Sequence, residues 1–214
     1  MVRSVNPTER SREARSERPK GAGTPRGGSL RRQAILDAAL ELFRERGFHG
    51  TSINDIGARA GVTGPALYRH FSGKGEVLAE AIREGSRRIA VATRDALTSQ
   101  DRDPLEALEA LVRSYLGVAL DNADIFTAYV LEARHLADEF RRPLRRSELR
   151  HRDEWARLVL AIHPDMDSDE ARTLVKMATF AVTSLCMEPS RLERDTLIEL
   201  ATPRVLALLR APRG

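Results

Sequence analysis

The 214 residues, 42% apolar and 31% charged, have the composition of a soluble globular protein with one large or two smaller domains, and no uncharged apolar run approaches the roughly 20 residues of a membrane span. The single cysteine, Cys186, excludes an intrachain disulfide, and no segment has the form of a secretion signal, so a reducing cytoplasm and no membrane partner are expected. The net charge of +4 divides into +4 over residues 1–30, +3 over 31–75 and −3 beyond, a basic front suited to a polyanion and a mildly acidic rear.

Residues 1–28, rich in Arg, Pro, Gly and Ser and almost free of apolar side chains, read as a disordered basic tail. From Leu30 the apolar residues Ile35, Ala38, Ala39, Leu42 and Phe43 fall at helical spacing, which predicts a helix to Arg46 with Ser29 as its N-cap and Gly47 after it. Two short helices follow. Ser52 and Asp55 form a capping-box pair ahead of Ile53, Ile56 and Ala60, and Gly61 ends that helix. Thr63 reads as the cap of the next, from about Gly64 to His70, with Pro65 tolerated in its first turn. Helix, glycine turn, helix is the helix-turn-helix pattern. Beyond it, longer helices are expected near 74–98, 104–121, 124–140, 142–163, 168–187 and 191–210. They are punctuated by Pro104, Pro143, Pro164 and Pro189, with a capping box at Asp167 and Glu170 and a kink or restart at Pro203. The expected fold is all-α: a three-helix helix-turn-helix domain over 29–75, then a helical bundle over 76–214.

In the segment from Thr51 to Lys74 the apolar positions Ile53, Ile56, Ala60, Val62, Leu67 and Phe71 would hold the two short helices across each other. The outward positions of the second, Thr63, Gly64, Ala66, Tyr68, Arg69 and His70, are small, hydroxylated or basic, with no acid. A helix end entering a major groove needs small residues for close approach and donors for phosphates and base edges. Lys74, opening the next helix, would add an ammonium beside free first-turn N–H groups.

The shared elements are Phe43 and Gly47 at the end of the first helix, Thr51-Ser52, Asp55-Ile56, Ala60-Gly61-Val62, Leu67-Tyr68, and His70-Phe71 followed by Lys74. Through them residues 30 to about 82 resemble the N-terminal domain of TetR-family regulators. The resemblance implies phosphate contacts by Thr51, Tyr68, His70 and Lys74. It implies base contacts by Arg69 and by the first turn of the recognition helix, Thr63, Gly64, Pro65 and Ala66. Two departures stand out: Ile53 occupies a position where some relatives carry a long polar residue, and Gly75 replaces an acid, leaving Glu76 as the nearest carboxylate to that helix start. Beyond residue 82 the resemblance is architectural. It implies a helical domain that dimerises through its last two long helices and holds a small-molecule effector, and a non-enzymatic repressor released from a palindromic operator in double-stranded DNA. The helix near 168–187, apolar almost all round, suits a homodimer.

An enzyme is the rival reading. Glu132 with His135, and Glu148 with His151, are two Glu-x-x-His units of the kind that di-metal bundles use, and both lie on apolar stripes. No matching inward Glu appears on two other helices, so no metal is expected. A structural salt bridge, a ligand contact and a metal site all remain open for these groups. Cys186 reads as a packed core residue, and no glycine-rich phosphate loop or dinucleotide fingerprint is present, so no cofactor is expected. A DNA-binding module with no effector is a further alternative, disfavoured by the size of the C-terminal part. An apolar or aromatic effector would meet Phe126, Tyr129, Glu132, His135, Glu148, His151, Trp155, Met177 and Phe180.

Overall fold

The computed structural model describes residues 25–98, 103–188 and 190–210, and every regular element among them is a helix. Most of the expected tail, residues 1–24, lies outside the described residues, as does Pro189. Helix α1 (Pro25–Arg46) begins before Ser29, which therefore sits inside the helix rather than capping it. It ends as the sequence predicts: Gly47 takes φ +71° and its N–H returns to the Phe43 carbonyl.

Helix α2 (Ile53–Arg59) carries the full capping box: Ser52 Oγ accepts from the Asp55 N–H, and Asp55 accepts from the Ser52 N–H at 2.9 Å. Gly61, at φ +67°, reverses the chain into α3 (Gly64–Tyr68). A Cβ on Gly57 would stand 3.0 Å from the Val62 carbonyl, so a glycine there lets this turn close against α2. Ile56, Leu67 and Phe71 are sealed beneath the pair.

Helix α4 (Lys74–Ala96) does not respect a boundary at residue 75. Its first turns bury Val77, Leu78 and Ile82 in the core built by α1–α3. That core also takes in Ile125 and Ala128 of α6 (Ala123–Glu132), with Leu136 and, from α7 (Asp138–Ile162), Leu144. Glu80, almost wholly buried on α4, ties α1 down through Arg32 at 3.2 Å and is further neutralised by Arg83 and Arg87. Arg32 also lies 4.8 Å over the Phe71 ring. The second core joins α5 (Pro104–Asp121), α7, α8 (Ser168–Met187) and α9 (Arg194–Arg210), with Leu111, Trp155, Val175, Val182 and Leu209 fully buried.

Three expectations about the bundle need correction. The helix placed at 124–140 stops at Glu132, passes through a single 3-10 turn, Ala133–His135, and becomes extended at Leu136, which is drawn into the N-terminal core. Helix α7 then starts at Asp138 rather than near 142, its acidic first turn suiting the helix dipole, so Pro143 falls in its second turn rather than its first. Pro143 is exposed there, and the helix forgoes one N–H bond to the Glu139 carbonyl. Helix α9 likewise runs unbroken through the exposed Pro203. Helix α8 is buried on one side, and its other side exposes the apolar Met177, Phe180 and Ala181 beside Lys176 and Ser184. No helix among the described residues is long and apolar enough to cross a membrane.

Helices α4 and α6 cross so closely at Gly85 that a Cβ there would meet Ile125 Cγ2 at 2.6 Å. This contact brings the middle of α4 against α6 and sets one wall of the cavity described next.

Candidate nucleic-acid interface and cavity

The surface of α3 is made by what its core residue leaves over. Leu67 points inward, so Thr63, Pro65, Tyr68, Arg69 and His70 are exposed, with Gly64 and Ala66 half-exposed between them. Thr63 occupies the N-cap position with extended backbone, yet its hydroxyl makes no capping bond, leaving it open to an outside partner. No carboxylate lies on the helix. Asn54 on α2, not singled out from the sequence, joins this surface: its Oδ1 lies 3.0 Å from the place of a Gly64 Cβ. Arg59 braces α2 on α1 through Glu41 and Glu45, each at 3.0 Å.

Two residues expected to meet phosphates are otherwise engaged. Thr51 is buried, and its hydroxyl donates to the carbonyls of Gly47 at 2.9 Å and Leu42 at 3.2 Å, locking the α1–α2 turn. Lys74 reaches back 2.7 Å to the Phe48 carbonyl and 2.8 Å to that of Thr51, with its ammonium 4.6 Å over the Phe48 ring. Past the end of α1 the turn carbonyls lack helical partners, that of Phe48 having only a long 3.5 Å bond from the Thr51 N–H, and the lysine serves them. Glu76 compensates for Gly75 as expected, accepting the Ser72 N–H at 2.7 Å, and these bonds hold its carboxyl below the usual range.

In the bundle, α4, α6, α7 and α8 enclose a cavity of about 520 Å³, within the roughly 300–1,000 Å³ of small-molecule sites. Of the residues expected there, Phe126, Tyr129, Glu148, His151 and Phe180 line it. Four do not. Trp155 is fully buried beneath His151 in the second core, and Met177 points outward from α8. Glu132 and His135 turn toward the N-terminal domain: Glu132 Oε1 approaches Gly47, and His135 stacks on Phe48 and contacts His49 nitrogen to nitrogen at 3.1 Å. The two Glu-x-x-His units therefore do not converge, and among the described residues no group of three or more His, Cys, Asp or Glu could hold a metal ion. The sequence reading missed Ile82, Ser86 and Ile89, although their spacing is that of one helical face, and also Arg134, Arg145 and Lys176.

The cavity's polar groups have definite partners. Glu148 accepts from both the Tyr129 hydroxyl and Arg152, so its charge is compensated. Burial, with the Glu148 bond second, pushes the Tyr129 hydroxyl pKa up. His151 stacks on Tyr115 with centroids 5.3 Å apart, its Nδ1 lies 3.4 Å from Thr93 Oγ1, and its Nε2 has no protein partner. Burial first, and then the Arg152 charge, push this imidazole down to about 4. Cys186 is buried and its thiol pushed up to about 11, an unreactive core group that donates to the Ala119 carbonyl.

A short exposed helix, free of acids and followed by Arg69 and His70, packed across α2 on a helical body with a ligand-sized cavity, defines a two-part helix-turn-helix protein. Residues 35–81 match the family model described as bacterial regulatory proteins, tetR family. Over these residues, from α1 into α4, the chain is similar to the tetR family. It is 37% identical over 101 residues to the HTH-type transcriptional activator FasR of Mycolicibacterium smegmatis, covering 44% of this chain and 46% of FasR. It is 33% identical over 110 residues to the HTH-type transcriptional repressor KstR2 of Mycobacterium tuberculosis, covering 51% and 54%. The chain thus spans about half the length of the curated relatives it matches. The solved structure of the ketosteroid transcriptional regulator KstR2 of M. tuberculosis shares the fold, with a TM-score of 0.71 and 24% identity over 83% of this chain and 93% of that one.

Replacing Lys74 with Met should lower the unfolding free energy by about 1.5–3 kcal/mol, because charge-assisted bonds to the turn carbonyls are lost. Urea titration measures it; unchanged stability with weakened DNA binding would return the ammonium to a purely phosphate-contacting role. The His151 imidazole titrates near 6.5 when unfolded and near 4 when folded, so the unfolded chain binds its proton more readily. Its contribution to stability is full above pH 6.5 and is lost as pH falls toward 4. Between pH 7 and 5 the chain should lose on the order of 1–2 kcal/mol that His151→Phe does not lose. Parallel pH dependence in the two proteins would show that another group is responsible.

Proposed function

We propose that this chain is a DNA-binding transcriptional regulator, a homodimeric repressor released from a palindromic operator by a small, mostly apolar effector. The observation that carries it is the acid-free exposed face of α3, where Thr63, Pro65, Tyr68, Arg69 and His70 surround half-exposed Gly64 and Ala66. Tyr68 and His70 meet phosphates; Thr63, Gly64, Pro65, Ala66 and Arg69 face bases. Thr51 and Lys74 act by holding the turn that orients α2 and α3. The repressor sense follows the KstR2 match, and the activator named in the FasR match is the second outcome for an in vitro transcription assay.

Dimerisation is supported by the outer face of α8 and α9, where Met177 and Phe180 are more than half exposed and Leu200 and Pro203 lie uncovered. Transmission from the effector is supported by the 3-10 turn. Ala133 and Arg134 line the cavity, and the next residue, His135, packs on Phe48 and His49 in the turn before α2. A ligand that prefers one position of this turn shifts the reading domain by that difference in affinity.

Selection from a pool of random duplexes should return palindromes, bound by a species with a mass near twice 23.8 kDa in sedimentation. Arg69→Ala should cost about 1–3 kcal/mol on the selected site and relax preference at one symmetry-related pair of positions. His70→Ala should weaken all sequences alike. A monomer bound to an asymmetric site would sink the dimer reading, and unselective recovery would sink the regulator.

A further inference from the structure

The cavity's mouth has a charge that its floor does not share. Among the lining residues the exposed ones are Arg134, Arg141, Arg145, Lys176 and Phe180: four cations, one aromatic ring and no carboxylate. The floor is apolar and buried, with Ile82, Ile125, Phe126 and Leu144. The single lining carboxylate, Glu148, lies deeper and is already matched by Arg152 and the Tyr129 hydroxyl. Arg141 is matched by Asp138, and Arg134 donates to His135. Arg145 on α7 and Lys176 on α8 border the opening from different helices, and no ion pair or hydrogen bond to either side chain is found among the described residues.

From this arrangement we infer that the effector is an anionic amphiphile: an apolar body fills the cavity, and a carboxylate or phosphate head is held at the mouth by Arg145 and Lys176. This rests on the cavity being the effector site. The exterior continues the charge, since Arg142, Arg146 and Arg150 are all exposed on α7 and only Arg142 approaches a carboxylate there, Asp138 at 3.5 Å. An anion arriving from solvent is drawn to this side of the bundle, and a cationic amphiphile is repelled. The guanidinium offers paired donors to a carboxylate or phosphate, and the ammonium adds a mobile point charge. His151 Nε2, buried within the same cavity lining and lacking a protein partner, supplies one further polar contact for an oxygen along the apolar body.

The test holds the tail constant and changes the head. Dodecanoate, dodecyl phosphate, dodecanol and dodecyltrimethylammonium, each below its micelle concentration, are titrated into the full chain by calorimetry at low and at high salt. Both anions should bind at least about tenfold more tightly than dodecanol at low salt, as charge-assisted bonds allow, and the cation should bind most weakly. The margin should shrink at high salt. The carboxylate and phosphate arms distinguish a free acid from a phosphorylated carrier as the source of the head. In the Arg145→Gln, Lys176→Gln double variant the anions should fall to the affinity of dodecanol, while dodecanol itself is unchanged. Equal binding of dodecanol and dodecanoate by the wild-type chain, or a preference for the cation, overturns the anionic head and leaves the effector cavity standing. Failure of all four to bind overturns both. The wild-type series decides the matter even if the double variant does not fold.

Discussion

Val77, Leu78 and Ile82 on α4 are sealed into the N-terminal core, and Ser86 and Ile89, further along the same helix, border the cavity. An α-helix is stiff over this distance, so neither end of α4 can move without displacing the other's packing. The helix-turn-helix, the cavity and the bundle all take their relative positions from it. The buried Glu80 reinforces the arrangement where α1 meets α4. Its carboxylate would be costly in the core alone and is held there by three arginines, so removing it would leave those cations without their shared partner.

A second link between the two cores is shorter and weaker. The 3-10 turn after α6 presents Arg134 to the cavity and His135 to the turn between α1 and α2. Ring contacts with Phe48 and His49 are small compared with the burial of α4, and a contact of modest strength is what a switch needs. A rigid helix and an adjustable turn thus join the same two bodies. The apolar atoms of the cavity floor belong to helices that both connections touch, so a molecule seated there would press on both.

The polar groups of the cavity show how burial sorts side chains that look alike in sequence. Glu148 and Glu132 each precede a histidine by three residues, yet one is bonded to Tyr129 and Arg152 and the other faces Gly47 of the N-terminal domain. His151 stays neutral because apolar and aromatic neighbours surround it, whereas His135 has a second imidazole, a carboxylate and a guanidinium within reach. Identical spacing has produced an interior polar contact in one case and an interdomain contact in the other.

Local signals in the sequence were sufficient for the capping boxes at Ser52 and Asp167, the glycine turns at 47 and 61, the buried set Ile56, Leu67 and Phe71, and the exposed face of α3. Each depends on residues a few positions apart, within a helical turn or two, and needs no knowledge of distant chain. Five of the nine residues expected at the cavity line it, because an apolar stripe marks burial without saying what lies opposite. What tertiary structure alone decided was long-range. Lys74 and Thr51 are drawn to carbonyls exposed by the end of α1, and the break after Glu132 arises because Leu136 is captured by a core assembled from α1 to α4. Arg145 and Lys176 meet at one opening because α7 and α8 pack side by side. Which carbonyls lack partners, and which cations border the same space, are properties of packing between segments far apart in the chain, and residue spacing along a single helix carries no record of them.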